Sequence, residues 1–535
     1  MGIVNRIFNI VSKIPYTNTF LNRYATNRIC TIIKPRPRAF SLWSHQPMPR
    51  GSTPTPTGYE EQGAVGDYTT WPMLTNRLYF ARHLPPADPG YTTQLPEDRP
   101  YNPDTGATGA VTALFRREGS MKPSRSSLLF MFFAQWFTDS VLRVDPGDRR
   151  KNTSNHNIDL CQIYGLTETA ANALRSKRGG KLRSQHIDGA EYPDYLGTVD
   201  AGGHWQVKEH YRVLPYTSDE RLAQIFGAWP QDRKHKLYAT GLDRGNSSIG
   251  YVAISTLFLR EHNRICDELH NRYPAWDDER LFQTARMINT VILMKLVIEE
   301  YINHIAGLRL FKLDHTFAER QAWYRTPWIA LEFDLLYRWH GLIPDQIVIG
   351  GRNYDHLQYR VNNALFEAAG LGSVIQAASV QAAGAISLQN VPEFMLGAEY
   401  ATVRMGRDFR LRPYNDYRRQ FGFKPLSRFD ELTDDAQLID ALKGLYNDVN
   451  QVEFIVGMFA QGSVGEGLFG DLLNAMVAYD AFTQIYTNPL LSQNVYNAHT
   501  FSDYGLQLIE KTTSLADLVH RNLADSDEVA VRFAV

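Results

Sequence analysis

The sequence predicts one large, mainly α-helical domain with little β-structure, preceded by a basic amphipathic segment. Three observations carry this. At 535 residues, 44% apolar and 21% charged, the chain has an ordinary globular composition and enough apolar mass for a sizeable core. Apolar residues recur at helical spacing over long stretches, with helices expected at 126–143, 254–272, 281–305 and 328–340. Strand-type alternation is scarce and brief. Pro/Gly-rich loops are expected at 85–106 and 178–203, and no repeat of fixed period is present. The 281–305 stretch (LFQTARMINTVILMKLVIEEYINHI) has a broad apolar stripe broken by Arg286, Lys295, Glu299 and Glu300, which reads as a buried globular helix rather than a membrane span.

Charge and cysteine content exclude several classes. A net charge of −1, with no basic stripe interleaved with aromatics, gives no nucleic-acid footprint. Cys30, Cys161 and Cys266 are odd in number and lack CxxC spacing, so neither a zinc site nor a disulfide framework is indicated; a reducing compartment is the simpler reading. No run of 18 apolar residues occurs, so no transmembrane helix is expected.

Residues 1–59 contain no acid, yet hold Arg6, Lys13, Arg23, Arg28, Lys34, Arg36, Arg38 and Arg50. Ile3, Val4, Ile7, Phe8, Ile10, Val11 and Ile14 recur at helical spacing, a pattern of a helix lying in a membrane interface. An organellar transit peptide and a solvated tail remain alternatives. The stretch 47–58 reads as a linker. The expected organisation is therefore a membrane-binding segment and linker at 1–58 and a catalytic domain at 59–535. The expected location is a peripheral one on the cytoplasmic side of a membrane, or an organelle if the segment is a transit peptide.

In WIALEFDLLYRWH (328–340), Phe333, Leu336, Tyr337 and His340 fall at i, i+3, i+4 and i+7, and a continuous helix would put them on one face. Spacing alone fits a core helix as well as a ligand. A neutral imidazole on a rigid element is, however, a common axial ligand for haem iron. A tyrosine near it can give up an electron and, as a phenoxyl radical, take hydrogen from an apolar substrate in a water-poor site.

Tyr337-Arg338-Trp339-His340 resembles the YxWH motif of the cyclooxygenases and related fatty-acid dioxygenases of the animal-type haem peroxidase superfamily. Further ordered segments resemble the same family: 67–86 (DYTTWPMLTNRLYFARHLPP), 159–165 (DLCQIYG), 180–185 (GKLRSQ), 259–267 (LREHNRICD), 276–284 (WDDERLFQT) and 410–432 (RLRPYNDYRRQFGFKPLSRFDEL). Coverage runs from about Asp67 to Leu518. The resemblance implies a helical peroxidase fold, haem b on His340, and Tyr337 as radical carrier. It also implies an unsaturated fatty acid and O2 as substrates and a peroxide as activator, and it is compatible with a homodimer. With no cysteines for the growth-factor-like module of the animal enzymes, the chain resembles a microbial member more closely.

The sequence departs from the family on the distal side. In FFAQWFTD (132–139), Gln135 is kept, but Asp139 stands where the family has the histidine that moves the peroxide proton. Asp139 could act as base in its place; the peroxidase half could be weak; or the site could be degenerate. These leave a small-donor peroxidase or a non-catalytic haem-binding protein as alternatives to the dioxygenase. In GLDRGNSS (241–248), Arg244 resembles the arginine that reaches the distal pocket in other family members, although Ser247 replaces the motif's acid; a surface ion pair with Asp243 or a neighbour is the competing reading. His262 in REHN reads as a structural helix residue. On the substrate side, the resemblance implies that Phe333 and Leu336 line a channel, with Thr483 a loose match to the serine that aspirin acetylates. Arg23, then Arg28, are the candidates for holding a fatty-acid carboxylate.

Overall fold

The computed structural model describes residues 17–33, 38–39, 78–145, 147–154, 156–326, 328–463, 465–523 and 529–535. The predicted amphipathic stretch 3–14 and the linker 47–58 lie outside these residues. The structure is 51% helical and 9% strand, as the apolar periodicity predicts. The elements that position the site are, in chain order, helix α1 (Thr17–Cys30), strand β1 (Pro123–Ser127), helix α2 (Leu128–Thr138), strands β2 (Ser184–Ile187) and β3 (Ala190–Pro193), and helices α3 (Ile249–Arg272), α4 (Asp278–Leu296) and α5 (Leu331–Leu336). After them come strand β4 (Ala382–Gly384) and helices α6 (Leu396–Asp408) and α7 (Asp471–Tyr486).

Helix α2 is apolar on nearly every side (LLFMFFAQWFT), and most of its residues are buried. It packs on α3, which in turn packs on α4. The approach of α2 to α3 depends on Gly250. A Cβ there would stand 2.1 Å from the Phe132 ring, too close for any larger residue without displacement. Trp136 Nε1 donates to Ser255 Oγ at 2.9 Å across the same contact. The expected helix at 126–143 is shorter because Ser126 and Ser127 belong to β1, which pairs antiparallel with β4. Ser127 then caps α2, its side chain accepting from the Phe130 N–H. The helix expected from 254 starts five residues earlier, where Ser248 accepts from the Tyr251 N–H.

The stripe at 281–305 forms α4 and continues through a π-helical turn, Val297–Ile302, into Asn303–Ala306, ending at left-handed Gly307. The whole span Asp278–Ala306 is long and apolar enough to cross a membrane by composition, but 83% of its most apolar stretch is buried inside the fold. The loop expected at 178–203 instead contains the β2–β3 hairpin. Asp188 (φ 50°) and Gly189 (φ 81°) supply the two left-handed residues that such a two-residue turn needs.

The largest difference concerns 328–340. The segment is helical only over α5, and Tyr337 already leaves the helix at φ −90°, ψ 16°. On the N-terminal side the backbone is committed elsewhere: Ala81 N–H donates to Ile329 O at 2.7 Å, and Ala330 bridges Ala81. On the C-terminal side, a 3-10 turn begins at His340. The single helical face predicted for Phe333, Leu336, Tyr337 and His340 therefore does not exist. Tyr337 and His340 are brought together by a turn.

Candidate active site

A cleft of about 550 Å³ lies between α2 and the 337–343 turn, a size suited to a bound small molecule or cofactor. Gln135 and Asp139, one helical turn apart, line one wall; Tyr337 and His340 line the other. Arg244, Arg338 and Arg360 also border it. The four residues singled out for haem chemistry thus meet, with Arg244, around one space.

His340 Nδ1 lies 2.7 Å from Glu399 Oε1. A carboxylate oxygen is an acceptor, so with the imidazole N–H on Nδ1 facing it the Nε2 lone pair would be left for the cleft. Neutral imidazole of this tautomer is the form that ligates iron. The residues present fit a haem: His340 Nε2 would hold its iron, and Arg338 and Arg360, which border the cleft, would supply positive charge for its carboxylates. Arg338 is itself held by Asp334 at 2.5 Å.

Tyr337 is packed between the Phe333 ring (5.0 Å, edge-on) and the Trp339 ring (4.4 Å). The Tyr301 hydroxyl faces its hydroxyl. The two buried groups polarise one another, and neither closes a hydrogen bond of good geometry. Burial holds both phenols well above the usual tyrosine range, so both are neutral at any physiological pH. Tyr301 reaches this position from the π-helical turn, stacked on Phe130 at 5.2 Å. Such turns break the regular helical register and recur at functional sites.

On the distal wall, Arg244 donates to Asp139 Oδ1 at 3.0 Å, and Asp139 Oδ2 is buried without a hydrogen bond among the described residues. Burial raises the Asp139 carboxyl above the usual carboxylate range, and Arg244 and Arg143 pull it back. Arg244 forms its ion pair with Asp139 and not with Asp243. Asp243 pairs with Arg143 at 2.8 Å, leaving Arg244 to the cleft.

Other expected residues lie elsewhere. Phe333 and Leu336 are buried on α5, which packs on α7 and not along this cleft. Thr483, on α7, donates its hydroxyl to Tyr479 O at 2.7 Å within its own helix. Arg23 sits on α1 and donates to Asp314 at 2.6 Å and to Thr316 at 2.8 Å, away from the cleft lining. Arg28 is exposed on the same helix. His262 is structural, as read: buried, with Tyr164 O–H at 2.9 Å on Nδ1 and Gly180 O at 3.0 Å on Nε2. Burial lowers its imidazole to about 4. The three cysteines are free and buried. Sequence reasoning missed Tyr301 and Glu399. The paired acids Glu299-Glu300 inside an apolar stripe hinted at the turn that presents Tyr301; nothing local marks Glu399.

Known proteins resemble the chain in both sequence and fold. The family model described as "Animal haem peroxidase" matches residues 143–533. Prostaglandin G/H synthase 1 of Mus musculus is 31% identical over 489 residues, 90% of this chain and 76% of that protein. Prostaglandin G/H synthase 2 of Bos taurus is 28% identical over 523 residues, 97% of this chain and 79% of that protein. Among solved structures, the fatty acid alpha-dioxygenase of Oryza sativa superposes with a TM-score of 0.70 at 16% identity, covering 98% of both chains. Peroxidase A of Dictyostelium discoideum gives 0.67 at 18%, covering 85% of this chain and 95% of that one. At such identities these two report the fold alone. The sequence matches say more: the chain belongs to the animal haem peroxidase family, as a homologue of the prostaglandin G/H synthases.

Proposed function

We propose that this protein is a haem-dependent dioxygenase that adds O2 to an unsaturated fatty acid, with Tyr337 carrying the radical and His340 the haem b. The observation that supports this best is the placing of a buried, neutral tyrosine in the same cleft wall as a histidine whose Nε2 is free to ligate. Haem bound there supplies, after reaction with a peroxide, an oxidant strong enough to take an electron from a nearby phenol. Tyr337 then loses its hydrogen and becomes a phenoxyl radical. That radical takes a hydrogen atom from an allylic carbon of the substrate, O2 adds to the carbon radical, and the peroxyl takes hydrogen back from Tyr337 to give a hydroperoxide. Kinship with the prostaglandin G/H synthases supports the reaction class, and the fatty acid alpha-dioxygenase shares the fold. A variant of the latter has been solved with palmitic acid, a saturated fatty acid, which bears on the fatty-acid class and not on the unsaturation proposed here.

Oxygen uptake tests this reading. Haem-loaded protein and Tyr337→Phe are supplied with oleic, linoleic and arachidonic acids. Uptake by the parent and its loss in the variant are expected; equal uptake by both would refute the role of Tyr337. The Asp139–Arg244 pair favours a second reading, a peroxidase of small donors, which predicts donor oxidation by peroxide with no fatty-acid oxygenation.

We propose too that the first 58 residues bring the catalytic domain, 59–535, to a membrane surface. In support, α1 presents Phe20 (68% exposed) and Tyr24 (62% exposed), stacked at 6.4 Å. Aromatic side chains on a basic helix suit a lipid headgroup region. Co-sedimentation with anionic vesicles should fall when both are replaced by Ser, and unchanged binding would refute this role.

A further inference from the structure

Glu399 is fully buried in the first turn of α6, and its Oε1 lies 2.7 Å from His340 Nδ1. Its other oxygen has no hydrogen bond, and among the described residues no lysine or arginine forms an ion pair with it. A carboxylate without solvent needs a compensating positive charge. The helix N-terminus supplies a fraction of one. A cation held on the far nitrogen of the imidazole ring would supply the remainder.

We infer that Glu399 is a positioning residue that fixes the ligating tautomer of His340 and makes its Nε2 electron-rich toward haem iron. This rests on the haem-at-His340 reading proposed above. An acceptor-only oxygen at 2.7 Å holds the proton on Nδ1, whereas a donor at that position would move the N–H to Nε2 and block ligation. A carboxylate draws the Nδ1 proton harder than a backbone carbonyl or an amide does, leaving the ring partly imidazolate and a more basic ligand. Such a ligand favours ferric over ferrous iron and eases cleavage of a peroxide O–O bond on the opposite face. That face is where this chain lacks the usual histidine and has Asp139 tied to Arg244. The proximal carboxylate thus supports from below what the distal wall does poorly.

The test uses haem-loaded parent, Glu399→Gln, Glu399→Ala and Glu399→Asp. The readouts are the iron–histidine stretching frequency of the ferrous protein and the ferric/ferrous midpoint potential. Gln keeps an acceptor of nearly the same shape and removes only the charge, so a folding defect is not built into it. The expected order of frequency is parent above Gln above Ala, and the potential rises in the same order. Haem loss should accelerate roughly 10- to 100-fold in Ala, the usual cost of removing such a partner. Asp should restore part of the shift. A Gln variant that holds haem with the parent's frequency and potential would overturn the inference. So would haem bound normally by His340→Ala, which would remove the ligand assignment beneath it. Fatty-acid oxygen uptake by the parent is scored separately: its absence defeats the dioxygenase proposal and leaves a shift in Glu399→Gln standing.

Discussion

Glu300 lies in the π-helical turn beside Tyr301, and its Oε2 accepts the Leu515 N–H at 2.7 Å. Burial pushes its carboxyl up to about 7. Since the folded value lies above the unfolded one, this group's contribution to stability is full below about pH 4.5 and is lost as pH rises through about 7. A displacement from 4.5 to about 7 corresponds to about 3 kcal/mol lost once pH exceeds both values. At pH 5.5 about 1.4 kcal/mol is already lost, so roughly 2 kcal/mol more disappears between pH 5.5 and 8, with solvent screening trimming this for a side chain only half-buried. Glu300→Gln keeps an oxygen for Leu515 and removes the ionisation. Urea unfolding of parent and variant at pH 5.5 and pH 8 should therefore show the variant gaining up to about 2 kcal/mol relative to the parent at the higher pH. An advantage that is the same at both pH values would refute the reasoning, and with it the claim that this turn holds a carboxyl out of water.

Two further perturbations test the walls of the cleft. Asp139→Asn removes the carboxylate that lines the cleft one helical turn from Gln135, and peroxide turnover should fall by roughly 10²- to 10⁴-fold if Asp139 moves the proton; unchanged turnover would leave it a structural partner of Arg244. In the parent that turnover should rise with pH as the raised Asp139 carboxyl ionises. Gly250→Ala would drive a methyl into the Phe132 ring, at 2.1 Å, and overpacking of this kind costs about 1–3 kcal/mol. A lowered melting temperature and a shifted haem absorption band are expected, because Phe132 lines the cleft; a variant identical to the parent in both would contradict the packing argument.

How much was legible in the sequence follows from how local each signal is. Gln135 and Asp139 are four residues apart at the end of one helix, a local spacing that brings both to one wall of the cleft. The long buried helix before Tyr301 was equally visible as an apolar stripe. The helix through Tyr337 and His340 was misread because its ends are decided by partners distant in sequence: Ala81 pairs with 329–330 and holds that stretch extended. Glu399 reaches His340 across 59 residues, and no motif spans that gap. Arg23, a candidate for a fatty-acid carboxylate from an acid-free segment, is paired with Asp314, 291 residues on. Patterns within one element survive folding; charge partners contributed by other elements cannot be read from them.

The central claim, that Tyr337 carries the oxidising equivalent to a fatty acid, is tested most directly by freeze-quenched electron paramagnetic resonance. Haem-loaded protein is mixed with peroxide and frozen, alone and with linoleic acid, for the parent and for Tyr337→Phe. The account predicts a tyrosyl signal in the parent that is replaced by a carbon-centred radical when the fatty acid is present without oxygen. In the variant any tyrosyl signal arises from another residue and does not pass to the fatty acid. A parent signal that persists unchanged beside the fatty acid, or a variant that generates the same carbon radical, would contradict it.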